Sequence, residues 1–194
     1  MKKIIIALLI AMIVPCCVFA ARGTFDFTLG VAASSTYSIG GVAETGVKDF
    51  SADKLSFGAD AELKLAFVAV DGTVMYAPEL KNLYGTVSAS VALDIFFLRV
   101  KAGLGYEYHY NFTENQFDFG NASGSVTEFA DFKKACFDVK VGVDVLLGNL
   151  TLGAFASLPT ATSIDNKAWG DLFASIKENW KSAQLGMVVG ISLI

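Results

Sequence analysis

The chain has 194 residues, of which 54% are hydrophobic and 18% are charged, a composition that suits one domain and is apolar for a soluble protein of this size. Leaving out Lys2 and Lys3 lowers the basic count from 15 to 13, which against 19 acidic residues gives a formal charge of −6. Nucleic acid is therefore excluded as an expected partner, because binding phosphates requires a basic surface.

The N-terminal segment predicts secretion. Two lysines, an apolar run over 4–14 and small residues ending at Ala20 are typical of a signal peptide, so we expect a signal peptide at 1–20 and one domain at 21–194. A lipid-modified Cys17 is a second interpretation, which the preceding Pro15 and Cys16 fit poorly. The remaining chain then holds only Cys136 and no intrachain disulfide.

Two-residue periodicity dominates the rest of the chain. In residues 53–69 the odd positions from Leu55 to Ala69 are apolar, while the even positions include four charged residues: Lys54, Asp60, Glu62 and Lys64. Side chains on a strand alternate between faces, so this pattern predicts a strand with one apolar and one polar face. It is longer than the roughly 9–11 residues that a tilted strand needs to cross a bilayer.

The same period predicts eight strands in all. We place them at 24–34, 53–69, 73–80, 83–95, 98–112, 133–147, 150–158 and 183–193. Three tight connections are expected, at 70–72 where Asp71 and Gly72 form a hairpin signal, at Phe96 and Phe97, and at Gly148 and Asn149. The connection near Lys81 and Asn82 is also short, whereas 35–52, 113–131 and 159–182 are long.

Tight turns at one end and long loops at the other are typical of an up-and-down outer-membrane barrel. No stretch after residue 21 approaches the ~18 continuous apolar residues of a membrane helix. An apolar sheet in hydrocarbon must close, because an open edge would leave backbone groups without hydrogen bonds. We therefore predict an all-β fold, an eight-stranded antiparallel transmembrane β-barrel with one short amphipathic helix in the last long loop.

The composition of the polar face indicates which face of the sheet lines the interior of the barrel. It is rich in Gly and Ser, which suits the crowded interior of a barrel of eight strands. It also carries charges of both signs, which we predict to form a lumen network: Asp26, Lys54, Asp60, Glu62, Lys64, Arg99, Lys101, Glu107, Asp138, Lys140 and Asp144. Tyrosines towards the long loops and phenylalanines towards the tight turns fit two aromatic belts. A lipocalin-like barrel with its apolar face inside is the alternative.

These features resemble the small eight-stranded outer-membrane barrels of bacteria, the superfamily that includes OmpX, OmpW and the OmpA membrane domain. The resemblance covers residues 24–194 and is architectural. It implies outer-membrane lipid and the barrel-assembly machinery as partners. The chain departs from the pattern at its C-terminus, where Leu193 and Ile194 stand in place of a terminal aromatic residue.

No residue pattern predicts catalysis, a cofactor or a metal site. His109, the only histidine, lies on the polar face near Glu107, where pairing with an acid is the simpler interpretation than general-base chemistry. One histidine with scattered carboxylates is also a weak metal-binding pattern. We interpret Cys136 as a small residue that fills space in the lumen.

The segment 165–181 is the one helical pattern. Its apolar residues recur at spacings of three and four and form one stripe: Trp169, Leu172, Phe173, Ile176 and Trp180. An interfacial helix or a lid over a small apolar ligand is one interpretation. A helix packed on the barrel rim is the simpler one.

The sequence predicts a bacterial outer-membrane protein that is not an enzyme, with a closed, charge-filled lumen and a structural or surface-interaction role. Candidate sites for a host or extracellular ligand are the loops 35–52, 113–131 and 159–182. An OmpW-like narrow channel for small apolar or zwitterionic solutes is the main alternative. A lipid-modifying enzyme and a periplasmic lipocalin-like binder are further ones.

Overall fold

The computed structural model describes residues 23–38, 54–121, 124–166 and 172–194, so the predicted signal peptide lies outside the described residues. Within them the strands are β1 (Phe25–Ser38), β2 (Leu55–Leu65), β3 (Val68–Ala77), β4 (Asn82–Ile95), β5 (Leu98–Asn111), β6 (Gln116–Phe119), β7 (Cys136–Leu147), β8 (Leu150–Ser163) and β9 (Gln184–Ser192). One α-helix, α1 (Leu172–Asn179), and two 3₁₀ helices, Phe129–Lys134 and Trp180–Ser182, lie in the connections between strands.

Eight of these strands close into an antiparallel barrel, which confirms the predicted fold class. Each pairs with its neighbour in the order β1, β2, β3, β4, β5, β7, β8, β9, and β9 pairs back to β1. β6 stands outside this ring and pairs with the outer residues of β5, from Tyr108 to Asn111, and its last residue, Phe119, also bridges to Val126. The barrel strands have 9 to 14 residues, which matches the length that a tilted strand needs to cross a bilayer.

The two faces of the barrel wall differ sharply in polarity. Large apolar side chains stand exposed on the outside along all eight strands, for example Val31 at 65% and Met187 at 65% exposure. Charged and hydroxyl side chains face inward and are buried, including Arg99 at 0% and Asp26 at 1% exposure. A water-soluble barrel has the opposite arrangement, so the wall of this one is built to contact hydrocarbon.

The two ends of the barrel also differ. At one end, the turn end, two-residue turns join the strands, and the first residue of each has a positive φ: Ala66 (54°), Phe96 (57°) and Gly148 (62°). At the other end, the loop end, the connections are long except for residues 78–81 between β3 and β4. Both the start of β1 and the end of β9 lie at the turn end, as an even number of up-and-down strands requires.

The predicted turn at Asp71 and Gly72 is wrong. The chain turns earlier, at Ala66 and Phe67, so β2 ends at Leu65 and β3 begins at Val68. The Asp-Gly pair lies inside β3, with Asp71 buried in the lumen. The outward positions change from odd numbers in β2 to even numbers in β3, but the run of apolar residues from Leu65 to Val70 hides this change, so periodicity alone did not mark the boundary.

Other strand limits also differ from the prediction. β1 and β8 each run longer, to Ser38 and Ser163, and β7 begins at Cys136 because residues 133–134 belong to a 3₁₀ helix. The loop predicted at 113–131 contains β6, which extends the sheet above β5. β5 pairs with β7 as far as Gly105, which lies opposite Asp138. Nearer the loop end, from Tyr108 to Asn111, β5 pairs with β6 instead. Among the described residues, no helix is long and apolar enough to span a membrane.

Candidate functional site

The lumen in the half nearer the turn end is organised around Arg99. Its guanidinium group donates hydrogen bonds to three carboxylates on three different strands: Asp26 on β1 (2.7 Å), Glu62 on β2 (2.6 Å) and Asp94 on β4 (2.8 Å). Arg99 is on β5, which is four strands from β1 in either direction around the ring. The bond to Asp26 thus joins opposite walls of the barrel, and the guanidinium group occupies the centre of the lumen.

Two lysines extend this cluster across the lumen. Lys101 forms ion pairs with Glu62 on β2 and with Asp144 on β7, the latter at 2.9 Å. Lys64 pairs with Asp94 at 2.9 Å. We call Arg99, Lys64, Lys101 and their four carboxylate partners the Arg99 cluster. Because each cation pairs with at least one carboxylate on another strand, the cluster ties the walls together as well as filling the space between them.

A second group lies further towards the loop end. Lys140 on β7 pairs with Asp71 on β3 at 2.5 Å, and Ser88 donates to the same carboxylate at 2.6 Å. The Lys140 ammonium also lies 4.8 Å from the centre of the Phe155 ring. Phe155 projects into the lumen over its cross-strand partner Gly186, where even a Cβ atom would come within 2.2 Å of the ring.

Hydroxyl groups complete the polar packing. Thr73 donates to Asp60 at 3.0 Å, and Ser192 donates to Asp26 at 2.6 Å. Tyr108, on the outer face, bonds to the backbone carbonyl of Thr73 at 2.9 Å and covers Gly85. The buried carboxylates of Asp26, Asp60 and Asp71 are thus held by cations or by hydroxyl donors, as burial of charge requires.

The mouth of the lumen at the loop end carries a smaller acidic group. His109 Nε2 lies 3.0 Å from Glu107 Oε1, and the imidazole ring stacks on Tyr84 with ring centres 6.0 Å apart. Asp138 accepts a hydrogen bond from the side chain of Asn121 at 3.1 Å, and Asn121 also bonds to the carbonyls of Phe137 and Thr160. Asn121 thereby anchors the loop between β6 and β7 to the barrel wall.

The residues of the predicted lumen network fall into three places. Eight belong to, or lie beside, the Arg99 cluster and the Lys140 pair. Glu107 and Asp138 lie at the mouth, where Asp138 bonds to Asn121, and Lys54 precedes β2 at the loop end, remote from Arg99. Sequence reasoning missed Asp71, which it assigned to a turn, and Asn121 and Phe155, which carry no charge. Outward and inward positions alternate without a break through residues 68–77, and this alternation was the signal that Asp71 lies on a strand and faces the lumen.

The predicted helix is only partly described. Leu172 and Ile176 are half-buried on α1, which lies against β8, and Trp180 is half-exposed just after it. Trp169 and the side chain of Phe173 lie outside the described part of the structure.

Cys136 is a free, buried thiol. In the described ranges, no group of three or more His, Cys, Asp or Glu side chains is placed to hold a metal ion.

An apolar outer wall, a buried ionic lumen and full closure of the sheet define a transmembrane β-barrel of eight strands. Neither a protein-family model nor a curated protein matches the sequence. Among solved structures the chain is similar to Neisserial surface protein A (NspA), at 13% sequence identity and a TM-score of 0.35, over 88% of this chain and 96% of that chain. A similarity at this level does not support a conclusion about this chain. The assignment to the class of transmembrane β-barrels therefore depends on the geometry of the barrel itself.

Proposed function

We propose that the protein is an integral outer-membrane β-barrel with a lumen closed to solutes, which acts as a structural or surface-interaction protein through the connections at its loop end. The observation that carries the proposal is the ion pair between Arg99 and Asp26, which joins opposite walls of the barrel at 2.7 Å. A lumen crossed by ion pairs leaves no open path for water in an eight-stranded barrel, whose interior is only wide enough for side chains.

The outward apolar wall supports the membrane location. Leu29, Val143 and Val189 each keep about 45% of their surface exposed at mid-strand positions, where a soluble barrel would place polar groups. Contact with outer-membrane lipid would remove this surface from water, at about 25 cal/mol per Å² of apolar area. The predicted signal peptide and the barrel-assembly machinery account for delivery and insertion in this proposal.

The loop end supports a role at the cell surface. The β5–β6 hairpin carries a ladder of aromatic side chains, in which Tyr106 stacks on Phe119 at 5.0 Å and Tyr108 on Phe117 at 6.3 Å. Phe129 continues the ladder from the 3₁₀ helix and is 75% exposed. Exposed aromatic groups on a folded loop suit contact with another molecule, so a host or extracellular ligand at 35–52, 113–131 or 159–182 is part of the proposal.

The proposed role does not include catalysis. The contacts given for His109 among the described residues are with the carboxylate of Glu107 and the ring of Tyr84, and neither residue is the serine or cysteine nucleophile of an acyl-transfer site. A lipid-modifying activity in the purified barrel that His109→Ala abolishes would contradict this part of the proposal.

Conductance across a planar lipid bilayer tests closure of the lumen and separates the proposal from an OmpW-like narrow channel. We expect the wild-type barrel to insert without stable current steps. The matched variant is Arg99→Ser combined with Lys101→Ser, which removes two cations that cross the lumen. It should conduct if it folds, as judged by a heat-dependent shift in gel mobility. Regular current steps from the wild-type barrel would overturn the closed-lumen proposal.

A further inference from the structure

A small cavity of about 70 Å³ opens at the mouth of the lumen, on the loop side of the Arg99 cluster. It is lined by residues from three strands, β4, β5 and β9, and from the connection between β3 and β4: Leu80, Asn82, Tyr84, Glu107, His109 and Gln184. The volume is about that of two water molecules in the liquid. Only a small group, such as the head of a larger ligand, can enter it.

Negative charge exceeds positive charge beside this cavity. Asp138 is 1% exposed, and while its Oδ1 accepts from Asn121, its Oδ2 has no hydrogen-bond donor among the described residues. The charged groups that act on this carboxyl group include Glu107, which lines the cavity, and His109. Glu107 in turn has His109 as its ion-pair partner. Two neighbouring carboxylates with little exposure, 1% at Asp138 and 13% at the side chain of Glu107, need a shared proton or a further cation, and one imidazole that is 33% exposed is a weak counter-charge for both.

The walls of the cavity suit one kind of cation. Tyr84 is 5% exposed and presents an aromatic ring beside Glu107. Aromatic rings attract ammonium groups through their negative faces. Asn82 and Gln184 add amide oxygens, which accept N–H donors. A divalent metal would need more carboxylate or imidazole ligands than this part of the chain assembles.

We propose that the cavity binds a protonated primary amine, with its ammonium group held between Glu107 and the Tyr84 ring and its charge also compensating Asp138. The three N–H donors of a primary ammonium match a carboxylate and two amide oxygens. A fully methylated ammonium lacks these donors and is too large for the space. Binding at the mouth does not require passage through the lumen, so this inference and the closed-lumen proposal fail in different experiments.

His109 is the only histidine in the chain, so its imidazole proton signals report on this one site. The experiment titrates methylammonium chloride into the folded full-length barrel, without a histidine tag, and follows these signals by NMR at constant ionic strength. We expect a saturable shift with methylammonium, and none with tetramethylammonium or sodium chloride. Glu107→Gln should weaken methylammonium binding about tenfold or more, because a hydrogen bond to a charged group is lost.

Glu114→Gln is the matched control, because Glu114 is an exposed acid in the loop after β5 and should leave the titration unchanged. Asp138→Asn replaces Glu107→Gln if the latter gives no heat-modifiable barrel, and it should also weaken binding. The proposal is overturned if the wild-type signals show no saturable shift, if sodium shifts them equally, or if the folded variant binds methylammonium as tightly as the wild type.

Discussion

At the scale of single residues, the stability of the barrel depends on buried charges that satisfy one another. Arg99 has no exposure to solvent and bonds to three carboxylates, so the cost of burying each charge is offset only while all of them remain. Strand periodicity predicted which charges face inward, because successive side chains on a strand point to opposite faces. It could not predict their partners, since pairing across the lumen depends on the stagger of strands that are distant in sequence.

Loss of the central cation should be costly. We expect Arg99→Gln to lower the free energy of unfolding by about 3–5 kcal/mol, because the buried carboxylates of Asp26 and Glu62 each lose their ion pair with Arg99. Urea unfolding in detergent, followed by the heat-modifiable band, measures the change. Lys134→Gln is the control, since Lys134 and Asp131 form an exposed pair, and it should cause no measurable loss. Equal effects of the two substitutions would contradict a stabilising role for the cluster.

The contact between Phe155 and Gly186 predicts a coupled pair of substitutions. Gly186→Ala places a Cβ atom within 2.2 Å of the Phe155 ring, so we expect a loss of about 1–3 kcal/mol from overpacking. The loss should be smaller in a Phe155→Leu background, which a double-mutant cycle detects. Gly72→Ala is the control, because nothing lies within 4 Å of its Cβ position. Additive effects at Phe155 and Gly186 would show that the contact does not constrain the lumen.

At the scale of elements, the long alternating strands could be predicted, and the short elements could not. β5 alternates without interruption over 14 residues, so its existence and faces follow from the sequence. The turn at Ala66 and Phe67 has no Gly, Asn or Pro to mark it. The four residues of β6 are too few to show a period, and their structure depends on pairing with the end of β5.

The tight turns predict opposite effects for two substitutions at the same end of the barrel. Ala66 has φ of 54°, a conformation that costs an L-residue about 1–2 kcal/mol, while glycine costs about 0.5–1 kcal/mol in chain entropy. Ala66→Gly should therefore stabilise the barrel by about 0.5–1 kcal/mol. Gly148→Ala, at φ of 62°, should destabilise it by a similar amount. Urea midpoints that move in the reverse order would contradict this assignment of the turns.

At the scale of the whole molecule, closure explains how the chain satisfies two conflicting demands. The outer wall is too apolar for water, and the lumen is too charged for hydrocarbon. Only a closed ring, with β9 paired to β1, gives each backbone group a partner and keeps each face in its own environment. The sequence predicted this architecture from the alternation and the loop lengths, together with a charge-filled lumen, whereas the particular ion pairs that cross the lumen emerged only from the structure.

The central claim is that the apolar face of this closed barrel contacts lipid. Gel mobility in SDS tests it most directly, with the outer-membrane fraction loaded boiled and unboiled. A closed lipid-facing barrel resists SDS until heated, so we predict that the unboiled protein migrates as a distinct, more compact band. A single unshifted band, with the protein recovered in the soluble periplasmic fraction, would contradict the account and turn the apolar face inward.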